Sequence, residues 1–360
     1  MLSAPEIIQK DNYKMKIHAD FECGNIRFLK EEDNIVYLTN EMRGTKRDAA
    51  YYWAFCAEGA AGRKLTFRLD REWVGPYGAA VSHDLINWYW TESSIDGASF
   101  TYEFSEDEDR VYFAHDLIYT PSRLYKLIEE LDLETETFCK TLKGRDVPCI
   151  KIGNGSKNVI LSSRHHACES SGSYVLEGMI REYAENPIED TSLFIVPMVD
   201  YDGVVEGEHG KDRDPHDHNR DYIEDSIFPE TRAIMDYAKD KDITYAIDFH
   251  APSHRIGRSN RVYLVRKFPH FTERFDRFSH LLEKHCGGEA MTYEMKYDVP
   301  PNTGWNKDET PTFSTFFNLR PECKLALTLE VTHYGTDDNK VSADRLVNTG
   351  KAFCRALGDF

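Results

Sequence analysis

The stretch Asn158-Val-Ile-Leu-Ser-Ser-Arg-His-His-Ala-Cys-Glu169 decides how the rest of the chain is read. Asn158 to Leu161 is an apolar run with the character of a buried strand, and it ends in a turn that carries His166 and Glu169. An imidazole and a carboxylate three residues apart can reach one cation from a single turn. Two histidines and one glutamate make an open zinc set, which leaves a coordination position for water and suits hydrolysis. A closed structural zinc needs four protein ligands, usually thiolates. H-x-x-E is common by chance, so the site needs further parts from elsewhere in the chain.

Downstream, near-continuous apolar strands alternate with helical stretches. A helix is expected from Tyr174 to Tyr183, a strand from Ser192 to Val196, a helix from Pro229 to Lys239 and a strand from Ile243 to Phe249. A strand from Arg261 to Val265, an amphipathic helix around Phe271 to His285, a strand from Lys324 to Leu329 and a helix through Leu346, Phe353 and Leu357 follow. This alternation means a largely parallel sheet covered on both faces. Upstream, Arg110 to Ala114 reads as a strand and Thr120-Pro-Ser-Arg123 as the start of a helix. Before them come short aromatic and β-branched runs, Ile35–Leu38, Tyr51–Phe55, Lys64–Leu69 and Ser99–Phe104, which predict a sandwich of antiparallel strands. The acidic link Ser105–Arg110 reads as a hinge or a hairpin turn. The expected architecture is an all-β sandwich domain over 1–107 and an α/β catalytic domain over 108–360.

Open α/β sheets bind ligands at the carboxyl ends of their strands. The strand ending at Phe249 delivers His250, and the strand ending at Leu329 delivers Glu330. Taken singly, these read as a core histidine and an ion-paired strand terminus. Arriving at the edge that holds His166 and Glu169, they converge on one site. His166, Glu169 and His250 can hold zinc, and Glu330 is then the base that takes a proton from the activated water and passes it to a leaving amine. The loop after Val196 runs on to Asp217-His-Asn-Arg220, which sets an amide beside a guanidinium. Arginine forks grip carboxylates bidentately, so Asn219 and Arg220 suit a substrate's terminal carboxylate; the plainer alternative is a charged surface loop.

The 44 basic and 62 acidic residues leave a net charge of −18, a field that disfavours nucleic acid and anionic membrane. No apolar run approaches the roughly 20 residues that span a bilayer. Residues 1–11 lack a basic segment followed by an apolar one, so no secretory signal is expected. Eight scattered cysteines without a C-x-x-C pair fit reduced thiols in a cytoplasmic protein, and argue against a disulfide framework or a zinc finger.

H-x-x-E, a D-x-N-R type motif, a strand-end His and a strand-end Glu, in this order, resemble the zinc carboxypeptidase superfamily. The chain is closest in pattern to its cytosolic carboxypeptidase branch, which carries an N-terminal β-sandwich. Phe21-Glu-Cys-Gly-Asn-Ile26 is similar to that branch's F-E-S-G-N-L opening, and Tyr112-Phe-Ala-His115 with Tyr119-Thr120 to its Y-F-A…P-Y-T segment. Tyr201-Asp-Gly-Val204 resembles its N-P-D-G-V stretch. The resemblance implies a mixed α/β sheet with helices on both faces and one Zn2+ per chain on His166, Glu169 and His250. It also implies Glu330 as general base, Asn219 and Arg220 at the substrate carboxylate, and hydrolysis of the C-terminal peptide bond of a peptide or protein.

The chain departs from the family in three places. Ala167-Cys168 stands where many relatives have Pro-Gly, or an Arg just before the metal Glu. The family's oxyanion-stabilising Arg falls, by counting from Asn219-Arg220, on Gly210; of its neighbours Lys211 and Arg213, the planar fork of Arg213 is the expected substitute. Relatives that shorten polyglutamate tails use basic residues before the catalytic Glu. Here Trp305–Ser314 offers Lys307 alone, which gives no support for acidic tails.

Two other functions fit parts of the pattern. One is a zinc deacylase of small N-acyl amino acids, of the aspartoacylase and succinylglutamate desuccinylase type; the N-terminal sandwich argues against it. The other is a non-catalytic binding module, against which the intact metal set and Glu330 weigh. His165 is expected to point away from the metal, Cys168 to pack, and His209, His216 and His218 to lie in a mobile solvated loop. Trp53, Trp73, Trp88 and Trp90 read as core or interface residues, with Trp305 bordering the pocket.

Overall fold

The computed structural model describes residues 15–45, 50–252 and 257–360. The N-terminal stretch read above for a targeting signal lies outside the described residues. The first part of the chain folds into strands β1 (Lys16–His18), β2 (Arg27–Glu32), β3 (Ile35–Thr39), β4 (Ala54–Glu58), β5 (Lys64–Leu69), β6 (Ala80–Ser82), β7 (Tyr89–Trp90), β8 (Ser99–Glu103) and β9 (Arg110–Ala114). They form a five-stranded sheet, β1-β4-β9-β6-β7, and a four-stranded sheet, β2-β3-β5-β8. Alternation explains the pairing of the sheets: Leu65, Phe67 and Leu69 of β5 are buried while Lys64 and Arg68 face solvent. Phe55 and Phe113 from one sheet meet Phe67 and Phe100 from the other, with Phe55 and Phe67 centroids 5.1 Å apart and Phe67 and Phe113 5.2 Å apart.

Three expectations change here. The sandwich is not wholly antiparallel, because β3 and β5 run parallel: the chain crosses to the other sheet as β4 before returning beside β3. β9, expected at the head of the second domain, sits between β4 and β6 in the sandwich. The acidic link before it is the turn that carries the chain between sheets, with Ser105 N donating to Glu108 at 2.7 Å, so the sandwich runs past 107. Finally, Tyr51 to Trp53, expected inside a strand, precede β4 and are buried.

The second part is built on β10 (Thr135–Lys140), β11 (Asp146–Ile152), β12 (Lys157–Ser163), β13 (Thr191–Val196), β14 (Ile243–His250), β15 (Tyr263–Val265) and β16 (Leu325–Glu330). Their order is β10-β11-β13-β12-β14-β16-β15. The four central strands are parallel and the outer ones antiparallel, a mixed sheet with a parallel heart. The helices are α1 (Pro121–Glu130), α2 (Ser170–Glu185), α3 (Tyr201–Val205), α4 (Pro229–Lys239), α5 (Thr272–His285), α6 (Phe313–Asn318) and α7 (Ala343–Asp359). α2 packs on β12, β14 and α7, which also meets α5; α4 lies against β10, and α6 against β14 and β16. Gly178 of α2 and Gly350 of α7 make the first contact close, since a Cβ on either would run into the other helix's backbone. The β10–β11 hairpin, α3 and α6 are absent from the sequence expectation. All eight cysteines are unpaired.

Candidate active site

The carboxyl ends of the central strands carry the site. β14 and β16 are paired so that His250 lies opposite Glu330. β12 ends level with Phe249, and the turn beyond it is pinned from inside by Arg164. That guanidinium is buried and donates to Ala167 O and Tyr119 O, both at 2.9 Å. α2 then begins at Ser170, directly after Glu169.

Glu169 stands between the two histidines. Its Oε1 lies 2.9 Å from His166 Nδ1 and its Oε2 2.6 Å from His250 Nδ1. One donor atom from each of the three residues lies within 4.8 Å of the other two. The far nitrogens of both rings face carboxylates: His166 Nε2 is 3.5 Å from Asp217 Oδ1, and His250 Nε2 is 2.5 Å from Asp248 Oδ2. Carboxylates in this position fix the tautomer of a metal-binding histidine and raise its basicity. Two imidazoles, one carboxylate and their supporting acids therefore fit zinc. Burial alone would raise the Asp248 carboxyl, but His165 and His250 beside it hold it below the ordinary range.

Sequence reasoning missed both supporting acids. Asp248 had a signal, since residues two apart on a strand share a face and it precedes His250 by two. Asp248→Asn is expected to weaken zinc retention about 10–100-fold, as read by competition with a chelator. Retention equal to wild type would remove Asp248 from the support of His250.

Glu330 is only 8% exposed, and its Oε2 accepts no hydrogen bond among the described residues. Burial pushes its carboxyl above the ordinary range, and the neighbouring Glu169 adds to the effect. Buried carboxylate oxygens without partners are rare in proteins and suit a group that takes and returns a proton.

The basic residues differ from expectation. Arg213 is committed to Asp200 and Glu208, and its backbone bridges to Thr45 of the sandwich, away from the metal-ligand candidates. Lys211 is the cation beside Glu169, with Nζ 2.5 Å from Glu169 Oε1 and 3.2 Å from Ala251 O. The two are two residues apart and would share a side in extended chain. Asp212 between them is left-handed, with φ 54°, and breaks that alternation. Gly210 is also left-handed, and a Cβ there would strike Ala167 N in the metal turn.

Asn219 is buried, with Nδ2 3.2 Å from His250 Nε2 and Oδ1 accepting from Phe313 N at 3.0 Å. Its amide oxygen thus holds the start of α6, with the amide nitrogen set against His250. Arg220 donates Nη1 to Asn219 O at 2.8 Å and lines the pocket in front of the metal-ligand candidates. The pocket continues into a recess whose lining includes Arg220, Lys267, Thr312, Ser314, Val265 and Glu330. Lys267 is 2% exposed and donates to Lys307 O at 2.7 Å. Burial pushes its ammonium down to about 8, Asp308 opposes the shift and Arg220 adds to it. No sequence pattern marks Lys267; it reaches the site because β15 ends beside β16.

Trp305 stands on the rim, 57% exposed. His165 faces Asp248 and Tyr222 rather than solvent, at 2.8 and 2.7 Å. The histidine loop is packed, not solvated: His209 and His218 are buried, and His218 stacks on Phe228 with centroids 3.7 Å apart. Cys168 is buried, and burial pushes its thiol up to about 12.

Comparison with known proteins agrees with this architecture. Residues 17–115 match the family model for the cytosolic carboxypeptidase N-terminal domain. An uncharacterised protein of Zymomonas mobilis is 23% identical over 66% of this chain and 67% of its own length. Cytosolic carboxypeptidase 2 of Xenopus tropicalis is 25% identical over 76% of this chain, which spans only 32% of that relative. A metallo-carboxypeptidase from Pseudomonas aeruginosa, solved in complex with (2-guanidinoethylmercapto)succinic acid, shares the fold with a TM-score of 0.80 and 21% identity. That match covers 96% of this chain and 98% of the other. The fold is the one that this metallo-carboxypeptidase shares. The N-terminal match and these relatives make the chain similar to the cytosolic carboxypeptidases in sequence and to the metallo-carboxypeptidases in fold. No helix among the described residues is long and apolar enough to cross a membrane.

Proposed function

We propose that the chain is a zinc metallocarboxypeptidase of the cytoplasm that removes an acidic residue from the C-terminus of a peptide or protein. The observation that carries the reading is the convergence of His166, Glu169 and His250, with Glu330 in register beside them and Arg220 and Lys267 across the pocket. His166, Glu169 and His250 would hold the zinc, which would supply a water of lowered pKa and polarise the scissile carbonyl. Glu330 takes a proton from the attacking water and delivers it to the leaving amine nitrogen. Lys211, beside Glu169, offers its N–H groups to the developing oxyanion in place of the expected Arg213. Arg220 pairs with the terminal carboxylate, which restricts the chemistry to chain ends. Lys267 and the hydroxyls of Thr312 and Ser314 receive the side-chain carboxylate of the departing residue. The segment Trp305–Ser314 gave no support for acidic ends, but the cation that favours them comes from beyond it.

The test is metal analysis of the purified chain together with mass-spectrometric digestion of peptides varied at the last residue. One zinc per chain and single-residue losses, fastest from Glu and Asp ends, are expected. Zinc without peptide shortening, but with turnover of N-acyl amino acids, would make the protein a deacylase. No metal and no turnover after zinc is supplied would make it a binding module.

A further inference from the structure

We propose that Tyr51, from the N-terminal sandwich, positions the loops that carry the metal-ligand candidates and Glu330. The inference rests on the metal-site reading above. The Tyr51 hydroxyl lies 3.6 Å from Cys168 Sγ, 3.4 Å from Pro252 O and 3.2 Å from His333 Nε2. Cys168 stands between His166 and Glu169, Pro252 is two residues past His250, and His333 is three past Glu330. One hydroxyl from another domain thus meets all three segments that build the site. A phenol has one proton and two lone pairs, enough to engage several partners at once.

The contact is reinforced from both sides. His333 Nδ1 lies 2.5 Å from Asp116 Oδ2, and Asp116 follows β9, so the sandwich also grips the loop after Glu330. His333 Nε2 is 3.0 Å from Pro252 O, which ties that loop to the one after His250. The Tyr51 ring meets His209 edge-on with centroids 4.7 Å apart, and His209 O accepts from Cys168 N at 3.1 Å. Tyr51, Cys168, His209, Asp116 and His333 are all buried. Tyr51 does not line the pocket, so it acts through these loops as a positioning residue. Reacting groups displaced by as little as an ångström can lose about 100-fold in rate, which gives such a brace its leverage.

Tyr51→Phe keeps the ring and removes the hydroxyl. Tyr52→Phe is the control, because the Tyr52 hydroxyl donates to Cys23 O at 2.6 Å inside the sandwich. Both are compared with wild type in the full-length, zinc-loaded chain by zinc release to a chelator, kcat and KM on one peptide, and thermal unfolding. Tyr51→Phe is expected to release zinc about tenfold faster and to lower kcat about tenfold at constant KM. Tyr52→Phe is expected to change neither, whatever it does to the unfolding temperature. Zinc release and kcat equal to wild type in Tyr51→Phe would overturn the proposal, as would equal losses in both variants. If Tyr51→Phe does not fold, Asp116→Asn, which loosens His333 without touching the tyrosine, takes its place with the same expected split. A wild-type chain that takes up no zinc would instead overturn the metal-site reading on which this one stands.

Discussion

Glu330→Gln is expected to lower kcat by about 10²–10⁴-fold while zinc content stays at the wild-type level. The substitution is nearly isosteric and keeps a polar group at the end of β16, opposite His250. It removes only the capacity to accept a proton. The effect should be large because the other carboxylates beside the metal-ligand candidates are already engaged. Glu169 is engaged by His166, His250 and Lys211, and Asp217 and Asp248 face the far sides of the rings. KM should move little, since Arg220 and Lys267, the proposed substrate-holding residues, are untouched. Steady-state kinetics on a peptide with a C-terminal Glu, alongside metal analysis, make the check. A variant within threefold of wild-type kcat would sink the general-base role.

Lys267→Glu is expected to reverse the choice of C-terminal residue from acidic to basic. The ammonium is buried, so a substrate carboxylate that meets it does so largely out of water, where losing one partner of such a pair costs about 2–5 kcal/mol. In kcat/KM for a C-terminal Glu this is a loss of roughly 30-fold to several thousand-fold. Lys267→Met, which removes the charge without inverting it, should abolish the preference for Glu over Gln and gain nothing for Lys or Arg. The pH dependence has a definite sign. Burial, reinforced by Arg220, pushes the lysine down to about 8, so the free enzyme carries this charge below that pH and loses it above. The Glu-over-Gln ratio of the wild type should therefore fall as pH rises through about 8. Equal ratios in wild type and Lys267→Met at pH 7 would remove Lys267 from substrate selection.

The parts of the site that could be read from sequence are those set by local pattern. His250 and Glu330 stand at the ends of apolar parallel strands, and strand order forces such ends to one edge. His166 and Glu169 share one turn. The residues that escaped depend on backbone geometry or long-range approach. Lys211 reaches Glu169 and Arg213 does not because of one left-handed residue, Asp212, whose conformation no spacing rule contains. Lys267 arrives only once β15 pairs with β16. In the fold, the β-rich character of the first hundred residues was legible in its aromatic and β-branched runs. The membership of β9 was not: Val111 and Phe113 suit a sandwich core as well as the first strand of an α/β sheet, and only its pairing with β4 and β6 decides. The parallel β3–β5 pair escaped for the same reason, because strand direction is set by the crossover and not by the strand's own residues.

The exposure of Trp305 gives the molecule a built-in optical probe. The other four indoles are at most 8% exposed, whereas Trp305 stands 57% open on the pocket rim. Iodide in solution therefore reaches chiefly this one fluorophore, and a ligand seated in the recess shields it. Protection from quenching then measures occupancy at equilibrium, without turnover or an added label, and separates a variant that cannot bind from one that binds and cannot react.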